Sequence, residues 1–92
     1  MLTRSVSITN ALGMHARAAA RFVHAAGAFQ SRVLVSRGGQ TVDGKSILGI
    51  LLLAAARGSD IDLCTDGPDE ADALAALCRL VESGFGEGAC NA

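Results

Sequence analysis

Along this chain the apolar residues switch back and forth between a two-residue and a 3.6-residue repeat. A strand shows one face every second residue and a helix one stripe at i, i+3, i+4 and i+7, so the order of switching dictates the order of elements. Residues Leu2 to Ile8 alternate, with Leu2, Arg4, Val6 and Ile8 on one side; Arg4 interrupts the apolar set, but Val6 and Ile8 fit a half-buried strand. Asn10-Ala11-Leu12-Gly13 reads as loop. From Ala16 to Ala26 the repeat is helical, with Ala16, Ala19, Ala20, Val23 and Ala26 in one stripe, Phe22 beside it and Gly27 as the stop. Arg32 to Ser36 is β-branched and predicts a strand. Arg37-Gly38-Gly39-Gln40 is a hairpin turn, and Thr41-Val42-Asp43 returns from it. Gly44-Lys45-Ser46 leads into a second helix from Ile47 to about Ala54, with Ser46 as N-cap.

Asp60 to Thr65 alternates again, Ile61 and Leu63 inward. Asp66-Gly67-Pro68-Asp69 turns into a last helix whose first turn carries Glu70 and Asp72, where the helix dipole favours acids. Its apolar face is Ala71, Leu74, Leu77, Cys78 and Val81; Gly84 ends it, and Phe85 to Ala92 reads as a Gly-rich tail that frays. The resulting order, β-α-β-β-α-β-α, predicts an α+β domain: a four-stranded, mainly antiparallel sheet with three helices packed on one face.

Composition narrows what such a domain can do. With 92 residues there is one core, and with three Phe, no Trp and no Tyr it must be filled by small aliphatics. A formal net charge of −1 and the lack of an aromatic platform argue against nucleic acid as the main partner. The first residues show no signal-peptide pattern, and the apolar run from Ile47 to Ala56 is too short for membrane insertion, which takes about 20 residues. Cys64, Cys78 and Cys90 are odd in number and lack C-x-x-C spacing. They read as two small buried hydrophobes and a tail thiol rather than metal ligands, and place the chain in a reducing cytoplasm.

The chemistry concentrates in Gly13-Met14-His15-Ala16-Arg17-Ala18-Ala19-Ala20. A histidine stands where a loop hands over to the first helix, and no Ser, Thr, Asp or Asn precedes the run to cap it. The first helical N–H groups are then available to an anion. Arg17 adds a permanent cation in a first turn, an electrostatically poor place for one unless an anion is to be met there. An imidazole, free donors and a guanidinium at one helix start suit a phosphoryl group resting on His15. On these residues alone an ordinary surface histidine remains an open alternative. Capping alone explains Ser46 equally well. The helix from Ile47 is apolar nearly all round; Ile50 and Leu53 suit the core, and what a one-sided domain leaves exposed suits a partner.

Gly13-Met14-His15-Ala16-Arg17 resembles the active-site signature of the HPr family, the histidine-containing phosphocarriers of the phosphoenolpyruvate-dependent phosphotransferase system. Lys45-Ser46-Ile47-Leu48-Gly49 resembles the family's second signature. The resemblance runs from about Ser5 to Gly86 and implies an open-faced β-sandwich, with an HPr-like domain over residues 1–86 and a flexible tail over 87–92. It further implies a stoichiometric carrier rather than an enzyme, without cofactor or metal. His15 would take the phosphoryl group on Nδ1 from phospho-enzyme I and pass it to a histidine of an enzyme IIA domain. Arg17 would stabilise the phosphate, and the N–H groups of Ala16, Arg17 and Ala18 would cradle it. The resemblance makes Ser46 the site at which an HPr kinase/phosphorylase can act. It assigns partner contacts to Ala16, Ala20, His24, Gly27, Ile47, Leu48, Leu51 and Leu52, His24 reading equally as a plain surface residue. One departure stands out: Ala18 occupies the position where the family usually has proline, so the site is less preorganised and gains one N–H donor. Two rival readings are a nitrogen-type carrier that signals through protein contacts and a ligand-binding α+β domain without phosphoryl chemistry.

Overall fold

The two-residue repeat of the strands becomes a sheet with one dry face. In the computed structural model of the chain, which describes residues 1–53 and 55–86, the strands are β1 (Leu2–Ser7), β2 (Arg32–Arg37), β3 (Gln40–Asp43) and β4 (Asp60–Asp66). They lie in the order β1-β4-β2-β3, and every neighbouring pair is antiparallel. The register sets Val6 opposite Ile61, Val35 opposite Leu63 and Val33 opposite Thr65, and all six are buried. Their strand neighbours point the other way. There the hydroxyls of Ser5 and Ser7 donate to the carboxylates of Asp62 and Asp60, a polar surface left open to water. Gly38 and Gly39 both take positive φ (57° and 84°), the turn geometry that matches the twist of the β2–β3 hairpin.

Three helices cover the dry face: α1 (Ala16–Gly27), α2 (Ile47–Leu52) and α3 (Glu70–Glu82), followed by a 3-10 turn at Gly84–Gly86. Ile50 and Leu53 are buried, as the sequence implies. The fold is thus the open-faced arrangement expected, and no helix among the described residues is long and apolar enough to cross a membrane.

Several details differ from the sequence reading, each for a packing reason. In α1 the buried set is Ala18, Ala19, Phe22 and Ala26, whereas Ala16 and Ala20 are exposed and Val23 is half-buried. Alanines on several sides leave the helix indifferent to rotation, and the one large ring, Phe22, decides which side turns inward. In α3, Ala73 rather than Ala71 completes the inner face. Phe85 is no part of a tail: it is 1% exposed within the core cluster, held by a backbone with φ 58° between two positive-φ glycines. The Arg21 guanidinium donates to its carbonyl. A chain with so few aromatics buries the ring and tolerates the backbone conformation. Cys78 is buried, and burial pushes its thiol up from the ordinary value, but Cys64 faces the open side of the sheet and is only half-buried. Cys90 and the tail expected over 87–92 lie outside the described residues.

Asp69 precedes α3 without capping it. Its carboxylate instead accepts the Ser31 hydroxyl and the N–H groups of Gln30 and Ser31, both at 2.9 Å, tying α3 to the chain that leaves α1. Those bonds, the Ser31 hydroxyl foremost, hold its pKa below the usual carboxylate value. The Glu70 carboxylate is lowered too, first by the Gly67 N–H and then by the N-terminal ammonium.

Candidate functional site

The loop between β1 and α1 is tied down before the helix begins. The Gly13 N–H donates to the Asn10 carbonyl at 3.1 Å, and the side-chain amide of Asn10, itself buried, donates to the Gly13 carbonyl at 2.7 Å. The Met14 N–H donates to the Ala55 carbonyl at 2.8 Å. Further back, Ile8 exchanges backbone bonds of 2.8 Å with Gly58 and Ser59, so the two loops run along each other. Gly13 is required twice over. Its φ is +65°, and a Cβ there would stand 2.6 Å from the Ala55 oxygen and 2.9 Å from the Ala56 Cα.

His15 follows in an extended conformation (φ −76°, ψ −179°) and is the N-cap of α1: its Nδ1 accepts the Arg17 N–H at 3.2 Å. The helix start is therefore not left uncapped, as the absence of Ser, Thr, Asp and Asn implies; the imidazole supplies the cap. Its carbonyl accepts the first helical bond, from Ala19, at 2.8 Å. As an acceptor, Nδ1 directs its lone pair at the helix end. Of the three N–H groups expected to form a cradle, that of Arg17 is engaged by the ring, while those of Ala16 and Ala18 have no acceptor among the described residues. The ring is half-exposed and the Arg17 side chain exposed; among the described residues no carboxylate pairs with it. Ala18, which stands in place of proline, is fully buried, so its methyl packs inward and its N–H is shielded from solvent.

Ser46 behaves as its type dictates. In extended conformation it caps α2, its hydroxyl accepting the Gly49 N–H at 3.1 Å. Lys45 braces the same corner: its Nζ donates to the Phe29 carbonyl at 2.8 Å and its N–H to Asp43 at 2.9 Å. At the other end of α2, Arg37 donates to the Leu53 carbonyl at 3.1 Å. Ile47, Leu48 and Leu52 are 45%, 68% and 66% exposed, and Leu51 is half-buried. Ala16, Ala20, His24 and Gly27 are exposed on α1, which packs against α2.

Sequence reasoning passed over the Ala55 carbonyl and Asn10, which hold the loop in front of His15. Neither carries a motif, and the Ala55 contact joins segments distant in sequence. It also passed over an open groove of about 470 Å³ lined by Arg17, Ala20, Arg21, His24, Ala25 and Leu80. The spacing of Arg17, Arg21 and His24 along one helix was the available signal. Among the described residues no group of three or more His, Cys, Asp or Glu is placed to hold a metal ion.

Residues 2–83 match the family profile described as the PTS HPr component phosphorylation site. The chain is 52% identical over 88 residues to the phosphocarrier protein HPr of Cupriavidus necator, covering 96% of this chain and 99% of that protein. It is 50% identical over 88 residues to the HPr of Neisseria meningitidis, again covering 96% and 99%. Its fold superimposes on the crystal structure of HPr-C-His from Thermoanaerobacter tengcongensis with a TM-score of 0.91 at 41% identity, covering 95% of this chain and 98% of the other. For HPr from Bacillus anthracis the TM-score is 0.84 at 39% identity, covering 87% and 95%.

Proposed function

The chain belongs to the HPr family of phosphotransferase-system phosphocarriers, and on that premise we propose that His15 is its phosphoryl acceptor, loaded by phospho-enzyme I and unloaded onto a histidine of an enzyme IIA domain. The observation that carries this reading is the position of Nδ1. It is a lone-pair nitrogen 3.2 Å from the Arg17 amide, at the positive end of a 12-residue helix. In the transfer the Nδ1 lone pair attacks the donor's phosphorus. The new N–P bond forms as the donor's N–P bond breaks, and that electron pair returns to the donor imidazole. The phosphoryl oxygens then take over the Arg17 N–H and add those of Ala16 and Ala18, while the Arg17 guanidinium neutralises charge that spreads over them in the transition state. The amide that the ring releases is then the amide its cargo binds. No cofactor or metal enters these steps.

The exposed residues of α1 and α2 named above suit the docking of both partners through an apolar patch that the two adjoining helices share. Phosphorylation of Ser46 by an HPr kinase/phosphorylase would add about −1.5 to −2 charges at the start of α2. The helix tolerates an anion there, whereas an anionic phospho-partner is repelled. The carrier unit spans residues 1–86, acts stoichiometrically rather than as an enzyme, and works in the cytoplasm. The test is 31P NMR of the protein after incubation with phosphoenolpyruvate and enzyme I. An acid-labile phosphoramidate resonance assigned to Nδ1 of His15 is expected. Its absence, or a signal from any other residue, overturns the reading.

A further inference from the structure

One peptide group in the loop ahead of His15 is gripped at both ends. The carbonyl of Gly13 and the N–H of Met14 belong to the same planar unit. The carbonyl is held by the Asn10 side-chain amide at 2.7 Å, and the N–H by the Ala55 carbonyl at 2.8 Å. A rigid plane fixed at two opposite points has little freedom left to rotate. The next rotatable backbone bonds are those of Met14, whose side chain is buried, and then those of His15 itself. The contact with Ala55 has no slack, since a single added carbon at Gly13 would stand 2.6 Å from that oxygen. Asn10 as a whole is only 5% exposed, so little water reaches its bond to Gly13.

We propose that Asn10 is a positioning residue for phosphoryl transfer: by locking the Gly13–Met14 peptide against Ala55, it sets the backbone from which the His15 ring reaches the start of α1. This rests on the functional reading above. A catalytic group displaced by a fraction of an ångström loses rate without losing its partner, because docking is made by other residues. Asn10 touches no phosphoryl group and acts only through the loop.

The experiment compares wild type with Asn10→Asp, which keeps the size of the side chain but replaces the donor by a carboxylate that cannot bond the Gly13 oxygen. Phosphorylation by phospho-enzyme I is measured as a function of carrier concentration, at a temperature where circular dichroism shows both proteins folded. The maximal rate should fall about tenfold with KM within about twofold of wild type. The 1H–15N signals of Met14 and Arg17 should shift while those of β2 and β3 stay in place. Asn10→Ser provides the same comparison should Asn10→Asp fail to fold, and a partial return of rate is expected from its short hydroxyl donor. An unchanged maximal rate overturns the role, as does a loss confined to KM. If wild type itself takes no phosphate, the functional reading falls and this role with it. If wild type is labelled on His15 and the variants keep full rate, only the role of Asn10 falls.

Discussion

At the start of α2 a serine hydroxyl stands 3.1 Å from the Gly49 amide; at the start of α1 an imidazole nitrogen stands 3.2 Å from the Arg17 amide. Both satisfy a helix donor that would otherwise lack a partner. The serine does so with a residue type selected for that purpose across helices in general, and reaches the third helical residue. The histidine reaches only the second, is not a preferred cap, and is followed by an arginine where the helix dipole disfavours a cation. A helix start built for stability looks like that of α2. That of α1 departs from this pattern, and the proposed chemistry gives its nitrogen and its amide a second occupant in common. The start of α3 adds a third case, since Asp69 forgoes capping altogether to bind Gln30 and Ser31.

Substitutions can break this contrast. The largest effect is expected from His15→Ala. It should abolish acid-labile labelling by phosphoenolpyruvate and enzyme I while costing about 1 kcal/mol or less of stability, as read by thermal melting; retained labelling would equate the two helix starts. Arg17→Ala should slow transfer by about 100-fold in stopped-flow or quench measurements and leave the melting curve in place, because the side chain is exposed. The two changes at Ser46 should separate its roles. Ser46→Asp keeps a capping oxygen and the melting temperature but slows loading by phospho-enzyme I several-fold or more. Ser46→Ala keeps the rate but lowers the midpoint by about 4–8 °C, from a cap worth about 1 kcal/mol. The smallest effect concerns α3. The Asp69 and Glu70 carboxylates are lowered from ordinary values of 3.8 and 4.5, so their contribution is full above that range and is lost as pH falls from it through the lower folded values. The melting temperature should decline on acidification below about pH 4.5, less steeply in Asp69→Asn than in wild type.

The order of elements was legible because each has a repeat of its own, the cap of α2 was legible from Ser46 by residue type, and the placement of His15 and Arg17 at the start of α1 was legible from where its helical repeat begins. What escaped depends on contacts between distant segments. The inward face of α1 could not be read among its alanines until Phe22 had a core to enter. Phe85 looked like tail because its neighbours are glycines, which here serve to turn its ring back under α1 and α3. That His15 caps its own helix follows from the extended backbone at one residue, and that backbone is held by an Ala55 carbonyl that leaves no mark in the side-chain sequence. Residue type alone places Cys64 in the interior, but the register turns it to the open face.

The bond between Nδ1 and the Arg17 amide has a thermodynamic corollary under the proposed chemistry. Loading takes one acceptor from the helix and returns several anionic oxygens in its stead, so the charged carrier should melt at or above the temperature of the empty one. A relay of this kind keeps its helix start satisfied whether empty or full, and the direction of flow is left to the partners.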